Sequence, residues 1–302
     1  MQDALPSDPL VVGIDVGGTK THLRALAGGH SVADHVRPSS GWRPHDPLAA
    51  AGWLAALIAE ALPAGSRPSA VAVGGHGCET PRQCTQIRTA LQLHFDAPAL
   101  VMGDAELLVP AAGLDRGVGL VAGTGSVAVG RLGDGSPVKV GGWGAALGDE
   151  GGAAGLVREA ARAVWAAHDR GAEPDALAKG LISAFGVAEV PALGAALERA
   201  TDISAEWGRH APVVFAAAEA GSPLARTVIS EGGHALAALV ERLATRGVPV
   251  DDVVIAGSTI LAQPALYDAF VSSLAERVPR ARPRPLRAAP VDGAVAMARS
   301  LV

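Results

Sequence analysis

The sequence predicts an α/β protein with two lobes, each built on a mixed β-sheet flanked by helices. The first observation is an apolar run at residues 11–16 that leads into the turn Gly17-Gly18-Thr19. The second is another apolar run, residues 119–122, that leads into the turn Gly123-Thr124-Gly125-Ser126. Strand-like sequence follows each turn, so both halves of the chain begin with a β-hairpin. Glycine-rich turns of this kind can hold phosphate groups with their backbone amides, and two of them indicate two lobes around one nucleotide.

The first half of the chain predicts three strands, then a helix, a strand, a second helix and a last strand. Short turns at Gly17-Gly18 and Gly28-Gly29 separate the first three strands, as in an antiparallel meander. Apolar residues at helical spacing, among them Trp53, Leu57 and Leu62, predict the first helix after a proline-rich loop. The predicted bounds are 10–16, 21–26 and 31–36 for the meander, 70–73 and 99–102 for the later strands, and 81–95 for the second helix.

The pattern restarts at Val118 and then adds more helix. Gly232-Gly233 lies within the longest predicted helix and is expected to weaken or bend it. The predicted helices span 151–168, 175–185, 191–200, 223–245, 264–277 and 291–301, with strands at 253–256 and within 280–290. We expect the first lobe to comprise residues 1–112, completed by the C-terminal helix at 290–302, and the second lobe to comprise residues 113–289.

Composition limits the classes of function. Hydrophobic residues make up 49% of the 302 residues and aromatic residues only 3%, so the core must be built from small aliphatic side chains. A net charge of −5 without a basic cluster argues against nucleic acid as a partner. We expect no membrane partner, because no apolar run is long enough to span a bilayer. The first nine residues lack the pattern of a secretory signal, and two cysteines favour a reducing compartment, so we predict a cytoplasmic location.

The first turn carries the groups that a nucleotide phosphate requires. We expect Gly17, Gly18 and Thr19 to cradle the β- and γ-phosphates, Lys20 to add positive charge, and Asp15 to hold magnesium through water. The glycines are expected to turn with positive φ. A simple hairpin is the alternative, because Gly-Gly commonly joins two strands. The P-loop pattern does not occur in the sequence, so this is a different type of phosphate turn.

Several other candidate residues have ordinary structural explanations. Asp104 follows the predicted strand at 99–102 and, as an isolated feature, is best explained as the N-cap of a short helix at 105–109. His76, Cys78 and Cys84 suggest a metal site, but their spacing does not match the paired ligands of a zinc site.

The second half offers similar alternatives. The turn at Thr124-Gly125-Ser126 can be an ordinary polar hairpin, and Gly257-Ser258 can be a plain turn after a strand. Trp143, in a glycine-rich loop, is most often a packing residue. Asp149 and Glu150 precede a predicted helix, where acidic residues are favourable.

Taken together, five motifs in their order and spacing resemble the N-acetylglucosamine kinase branch of the BadF/BadG/BcrA/BcrD ATPase family, over nearly the whole chain. The motifs are Asp15-Val16-Gly17-Gly18-Thr19, Gly103-Asp104-Ala105, Gly123-Thr124-Gly125-Ser126, Gly141-Gly142-Trp143-Gly144 and Leu147-Gly148-Asp149-Glu150-Gly151-Gly152. The resemblance implies the two-lobed, actin-like (ribonuclease H-like) fold with a central cleft that sugar kinases share with actin and heat-shock chaperones. It also implies ATP and Mg²⁺ as cofactors and a homodimer.

The resemblance assigns roles to the matching residues. Asp104 is implied to be the base that accepts the proton of the sugar hydroxyl. Thr124 and Gly125 would face the nucleotide, and Gly257 and Ser258 would pack against adenosine, with residues 217–223 on its other side. The residues implied to contact the sugar, besides Asp104, are Ser40, Ser126, Gly142, Trp143 and Asp149. Ser40 and Val127 stand where family members often have asparagine, so the preference for an N-acetyl group does not carry over directly.

The function implied is an ATP-dependent amino-sugar kinase that phosphorylates N-acetylglucosamine at the 6-hydroxyl. Glucosamine, N-acetylmuramic acid, another hexosamine or glucose are alternative acceptors. An alternative of another class is an ATPase activator of an acyl-CoA reductase or dehydratase, but those proteins carry an iron–sulfur cluster and a Gly-Gly-Gln-Asp type of second turn. A sugar-binding regulator is a third alternative, and it would be expected to carry a DNA-binding head that this sequence lacks.

Overall fold

The computed structural model describes residues 8–78 and 80–302. The prediction that no secretory signal is present rests on the first nine residues of the sequence. Residues 1–7 lie outside the described part of the chain. The chain divides into two compact units. The first takes in the chain up to Asp115 together with Leu286–Val302, and the second spans Arg116–Pro285.

Ten strands are present among the described residues. They are β1 (Leu10–Val16), β2 (Lys20–Ala27), β3 (His30–Pro38), β4 (Ala70–Gly75), β5 (Ala99–Gly103), β6 (Val118–Ala122), β7 (Ser126–Arg131), β8 (Pro137–Gly141), β9 (Asp252–Ala256) and β10 (Arg282–Pro285). Twelve α-helices accompany them in the same part of the chain. They are α1 (Pro47–Ala61), α2 (Pro81–Leu91), α3 (Leu108–Ala111), α4 (Ala153–Asp169), α5 (Ala176–Phe185), α6 (Leu193–Glu198), α7 (Ile203–Gly208), α8 (Ala211–Glu219), α9 (Pro223–Thr245), α10 (Ser258–Ala262), α11 (Pro264–Arg277) and α12 (Pro290–Arg299). Short 3₁₀ helices cover Asp104–Leu107 and Val190–Ala192.

The first unit is built on a five-stranded sheet in the order β3-β2-β1-β4-β5. β1 is antiparallel to β2 and parallel to β4, which is parallel to β5. Alternate residues of β1 point to opposite faces. Val12 and Ile14 join the cluster formed with α1 and α2, whereas Val11 packs with Val295 of α12. Because β1, β4 and β5 are parallel to one another, their carboxyl ends meet at one edge of the sheet. This edge is the usual place for a ligand site.

Close packing of α12 against β1 depends on a glycine. A β-carbon at Gly13 would lie 2.5 Å from the backbone nitrogen of Val295, so only glycine fits there. Arg24 of β2 donates to Asp34 of β3 at 2.8 Å and also to Asp292 of α12, which ties the C-terminal helix to the sheet.

The second unit repeats the topology of the first. Its sheet has the order β10-β9-β6-β7-β8, with β6 antiparallel to β7 and parallel to β9. β6, β7, β8, β9 and β10 thus correspond to β1, β2, β3, β4 and β5. The carboxyl ends of β6 and β9 share an edge, at which the second glycine turn and Gly257 lie.

Several boundaries differ from the prediction. α2 ends at Leu91 rather than at residue 95, and the predicted helix at 191–200 is a 3₁₀ turn followed by α6. Sequence analysis did not identify β8, α7, α8 or α10. α9 continues through Gly232 and Gly233, so the two glycines do not interrupt the helix. A β-carbon would lie 2.7 Å from Leu156 at one of these glycines and 2.6 Å from Ala269 at the other, so they let α9 pack closely on α4 and α11.

No single helix in the described part of the chain is both long enough and apolar enough to cross a membrane. Within residues 8–78 and 80–302, one pair of helices, Ala176–Phe185 and Val190–Glu198, reaches the required length and composition together, but it is bent by 49°. Leu181 and Leu193 of this pair are fully buried in the core of the second unit.

Candidate active site

The first turn, Gly17–Lys20, is a narrow connection between β1 and β2. The Gly17 amide donates to the Lys20 carbonyl at 3.0 Å, and the Thr19 carbonyl accepts from Ser39 N–H at 3.1 Å. Among the described residues, the amides of Gly18 and Thr19 have no hydrogen-bond partner. The prediction of positive φ was wrong, because neither glycine lies in the left-handed region. Glycine is favoured at position 17 by space, since a β-carbon there would lie 3.1 Å from the Lys20 carbonyl oxygen.

Asp15 lies one residue before the end of β1 and is half-buried. Burial, together with the charge of Asp104, raises the pKa of its carboxyl from 3.8 to about 7, although nearby Lys20 acts in the opposite direction. The carboxylates of Asp15 and Asp104 repel each other, and a cation bound beside them would relieve that repulsion. Their oxygen atoms are the ligands that a hard cation such as Mg²⁺ prefers. No group of three or more His, Cys, Asp or Glu side chains able to hold a metal is found in the described residues. Such an open pair fits a magnesium ion whose other ligands are water and phosphate oxygens.

Asp104 immediately follows β5 and is the first residue of the 3₁₀ helix Asp104–Leu107. The N-cap explanation was wrong, because Gly103 occupies the cap position, where its amide donates to Oε1 of Glu106 at 3.2 Å. The Oδ1 atom of Asp104 accepts from the Ala105 amide at 2.9 Å. Its Oδ2 atom lies 3.7 Å from Nδ1 of His76, which follows β4. The side chain of Asp104 is 37% exposed, so the carboxylate is accessible to a substrate.

The loop after β3 is anchored to the first turn through Ser39 rather than Ser40. The hydroxyls of Ser39 and Thr21 are 2.8 Å apart and both residues are buried, whereas Ser40 is exposed. Trp42 Nε1 donates to the His76 carbonyl at 2.7 Å. Ser40 thus lies on a loop fixed at both sides, and its hydroxyl is open to solvent.

The second turn rests on the N-terminus of α4. The carbonyls of Gly123 and Thr124 accept from the amides of Ala153 and Ala154 at 2.8 and 3.0 Å. The Gly123 amide donates to the Gly125 carbonyl at 3.0 Å. Within the described chain, the amides of Thr124 and Gly125 have no partner. The helix amides therefore hold the carbonyl side of the turn, and two turn amides remain for an anion.

Asp149 packs directly against this turn. A β-carbon at Gly125 would lie 2.5 Å from Asp149 Oδ2, which explains the glycine. Asp149 is 7% exposed and has a φ of 57°, unusual for a residue other than glycine. Burial raises the pKa of its carboxyl above the usual value. Ser126 is also buried, and its hydroxyl donates to the Glu150 carbonyl at 2.8 Å, so towards a ligand it can act only as an acceptor.

The loop from Gly142 to Gly148 is held on both sides. The Gly142 amide donates to the Ser126 carbonyl at 2.8 Å, which joins the loop to the second turn. Arg158 of α4, not identified from the sequence, donates to the carbonyls of Ala145 and Gly148 at 2.5 and 2.6 Å. The packing explanation for Trp143 was wrong, because the residue is 75% exposed.

Gly257 and Ser258 lie beside the second turn at the end of β9. Gly257 has a φ of 109°, and a β-carbon there would lie 2.3 Å from the Ala122 carbonyl oxygen. Ser258 begins α10, and the hydroxyl of the next residue, Thr259, donates to the Gly123 carbonyl at 2.8 Å. Thr259 thus fixes this segment to the turn, a role that nothing in the local sequence indicated.

The two cysteines do not form part of either turn. Cys78 is buried and Cys84 is half-buried, and neither is part of a disulfide in the described part of the chain. The Cys78 sulfur lies 2.9 Å from the position that a β-carbon at Gly75 would occupy. Cys78 therefore packs against the end of β4.

The candidate residues form one group in each unit. In the first, Asp15, the Gly18 and Thr19 amides, His76 and Asp104 lie at the carboxyl edge of the sheet. In the second, the corresponding edge carries the Thr124 and Gly125 amides, Asp149 and the segment at Gly257-Ser258. This repeated arrangement is that of the actin-like ATPase fold.

Comparison with known proteins specifies the family. Residues 12–298 match the BadF/BadG/BcrA/BcrD ATPase family, and the chain belongs to that family. The sequence is 26% identical to the N-acetylmuramic acid/N-acetylglucosamine kinase of Clostridium acetobutylicum, over 96% of this chain and 98% of that protein. These matches confirm the family and the fold class predicted from the sequence.

Solved structures show the same fold. A protein of Chromobacterium violaceum, provisionally assigned as an N-acetylglucosamine kinase, has a TM-score of 0.71 at 24% identity, covering 95% of this chain and 98% of that one. A ROK family glucokinase of Streptomyces griseus, solved with glucose and AMPPNP, has a TM-score of 0.57 at 15% identity, covering 97% of this chain and 99% of that one. The kinase names of these relatives agree with the predicted enzyme class, a phosphotransferase.

Proposed function

We propose that this chain is an ATP-dependent amino-sugar kinase that phosphorylates N-acetylglucosamine at its 6-hydroxyl. The main support is the position of Asp104, at the same sheet edge as Asp15 and the first turn, in a member of the BadF/BadG/BcrA/BcrD family. N-acetylmuramic acid is a second candidate acceptor, because the relative from Clostridium acetobutylicum is named for both sugars. No match favours the alternative of an ATPase activator.

Phosphoryl transfer requires a base near the attacking hydroxyl. In this proposal the Asp104 carboxylate accepts the hydroxyl proton while the hydroxyl oxygen forms a bond to the γ-phosphorus. The bond from that phosphorus to the β,γ-bridging oxygen breaks, and ADP leaves. The Ala105 amide holds Oδ1 of Asp104, so the lone pairs of Oδ2 are the ones presented to the hydroxyl.

The phosphates of ATP would be bound by backbone amides that lack a partner in the described structure: those of Gly18 and Thr19 in the first turn and of Thr124 and Gly125 in the second. Lys20 adds positive charge beside the first turn. Magnesium, held near Asp15, would neutralise phosphate charge. Gly257 and Ser258 would contact adenosine.

Sugar recognition is assigned to residues of both units. Asp149 is the strongest candidate, because its carboxylate is buried beside the second turn and burial favours a strong hydrogen bond to a hydroxyl group. The Ser126 hydroxyl would accept a hydrogen bond. The Gly142 backbone, the exposed Trp143 ring and Ser40 complete the proposed set.

We also propose that the two units act as the lobes predicted at 1–112 with 290–302 and at 113–289, and that both turns bind the same ATP. A homodimer and a cytoplasmic location belong to the same proposal, the first from the family and the second from cysteine usage.

The proposal can be tested by coupled ADP release in the presence of N-acetylglucosamine, N-acetylmuramic acid, glucosamine and glucose. We expect N-acetylglucosamine to give the highest kcat/KM and 6-deoxy-N-acetylglucosamine, which lacks the attacked hydroxyl, to give none. Asp104→Asn should lower kcat by about 10²–10⁴-fold. Asp96→Asn, the same change at an exposed position of the first unit, is the matched control. Absence of sugar-dependent ADP release, or an unchanged rate in Asp104→Asn, would refute the proposal.

A further inference from the structure

His76 occupies a position between the candidate base and the first turn. Its Nδ1 atom lies 3.7 Å from Oδ2 of Asp104. Its Nε2 atom lies 3.8 Å from the position that a β-carbon at Gly18 would occupy. The imidazole therefore presents one nitrogen to the base and the other to the turn.

The backbone of His76 is fixed, whereas its ring is not part of the core. The His76 amide donates to the Val16 carbonyl and its carbonyl accepts from Trp42 Nε1, both at 2.7 Å. The side chain itself is 63% exposed. Packing in the core therefore does not select an imidazole at this position.

We infer that His76 is a positioning residue for Asp104, an inference that rests on the proposed kinase function. In the substrate complex Nδ1–H donates to Oδ2 of Asp104, whereas the Ala105 amide already donates to Oδ1 at 2.9 Å. With a donor on each oxygen, the carboxylate cannot rotate, and the remaining lone pair of Oδ2 is directed at the substrate hydroxyl. The 3.7 Å separation shortens to a hydrogen bond when substrate binds, as catalytic contacts commonly do.

The charges around His76 make this arrangement favourable. Asp15 and Asp104 repel each other across the end of the sheet, and Lys20 offsets only part of that repulsion. A donor on Oδ2 of Asp104 offsets part of the repulsion between the two carboxylates.

Two amide variants separate the roles of the two nitrogens. The amide nitrogen of Asn occupies approximately the place of Nδ1, and that of Gln approximately the place of Nε2, so each retains one donor. We expect His76→Ala and His76→Gln to lower kcat by about 10–100-fold, because the base is no longer held in place. His76→Asn should retain most of kcat, and KM for sugar and ATP should change less than about twofold in all three. Equal rates in all variants, or retained activity in Gln but not in Asn, would overturn the inference.

A measurement without turnover distinguishes a failure of this inference from a failure of the proposed function. With ¹⁵N-histidine labelling, the Nδ1 resonance of His76, assigned by its loss in His76→Asn, should shift in Asp104→Asn and stay unchanged in Asp96→Asn. No shift in Asp104→Asn would overturn the contact between the two residues. If the shift is present but the enzyme phosphorylates none of the sugars, the proposed function fails, and the positioning role fails with it.

Discussion

Replacement of Asp15 by Asn is expected to make the folded protein more stable at neutral pH while it removes the proposed magnesium ligand. Asp15 has to be charged to hold a cation, but its surroundings disfavour that charge: burial and Asp104 raise the pKa of its carboxyl to about 7. Without a bound cation, the ionised carboxylate is therefore a cost to folding. The Asn side chain is similar in shape and carries no charge.

The size of the effect follows from the pKa. An unfolded Asp titrates near 3.8 and the folded one near 7, so between these values the folded state keeps a proton that the unfolded state has lost. The free energy of unfolding of the parent therefore falls as pH rises through this window, and the full penalty is present above about pH 7. The increase of about three units in the pKa of Asp15 corresponds to a loss of at most about 4 kcal/mol in the free energy of unfolding. Because Asp15 is only half-buried, solvent screening reduces the expected gain to about 1–3 kcal/mol.

The assay is urea unfolding of the parent and of Asp15→Asn between about pH 4 and pH 8, in the absence of divalent cations. The difference in unfolding free energy should be small at the acidic end and grow towards the alkaline end, whereas Asp96→Asn should follow the parent throughout. Activity of Asp15→Asn should be lost at every pH. A difference that is constant with pH, or a variant less stable than the parent at the alkaline end, would show that Asp15 is not penalised by its surroundings.

Two further predictions concern the second unit. Arg158→Met should raise KM for the sugar by about tenfold, with a smaller change in kcat, because the loop at 142–148 loses both of the hydrogen bonds that Arg158 of α4 donates to it. Steady-state kinetics with varied sugar concentration measures both constants, and an unchanged KM would contradict the prediction. Ser222→Ala should lower the unfolding free energy by about 1–2 kcal/mol, because the hydroxyl caps α9 at the Ala225 amide and also bonds Asp175, the cap of α5. Urea unfolding tests this, and an effect below about 0.5 kcal/mol would show that the shared cap contributes little.

Local patterns in the sequence were sufficient for the strands that carry the site. β1 and β6 are apolar runs bounded by glycine turns, and β4 and β9 are short buried runs, so each was predicted within a few residues of its bounds. β8 was missed because it is short: its five residues, Pro137–Gly141, include a proline and only two alternating apolar side chains, Val138 and Val140. α7 and α8 were missed because the segment at 203–219 contains a glycine and a proline between short apolar stretches.

The site illustrates what a local pattern leaves undetermined. Gly17 was attributed to backbone conformation, but in the fold it is favoured because the Lys20 carbonyl approaches it, and Gly125 is required because the Asp149 carboxylate packs against it. Arg158 and Thr259 support the second unit's loops through bonds to carbonyl groups distant in sequence. Such contacts depend on which segments the fold brings together, and one sequence does not carry that information.

The two units share a topology but hold their turns by different means, and this bears on how each would bind phosphate. The first turn is followed by a β-strand, and beside it the two carboxylates of Asp15 and Asp104 outnumber the single ammonium of Lys20, so an anion that binds there requires a further cation. The second turn lies on the N-terminus of α4, whose partial positive charge favours an anion without a metal. We therefore expect removal of magnesium to weaken the contribution of the first turn far more than that of the second. Nucleotide binding without magnesium should then depend on Thr124 and Gly125, and substitution at Gly18 should matter only when the metal is present.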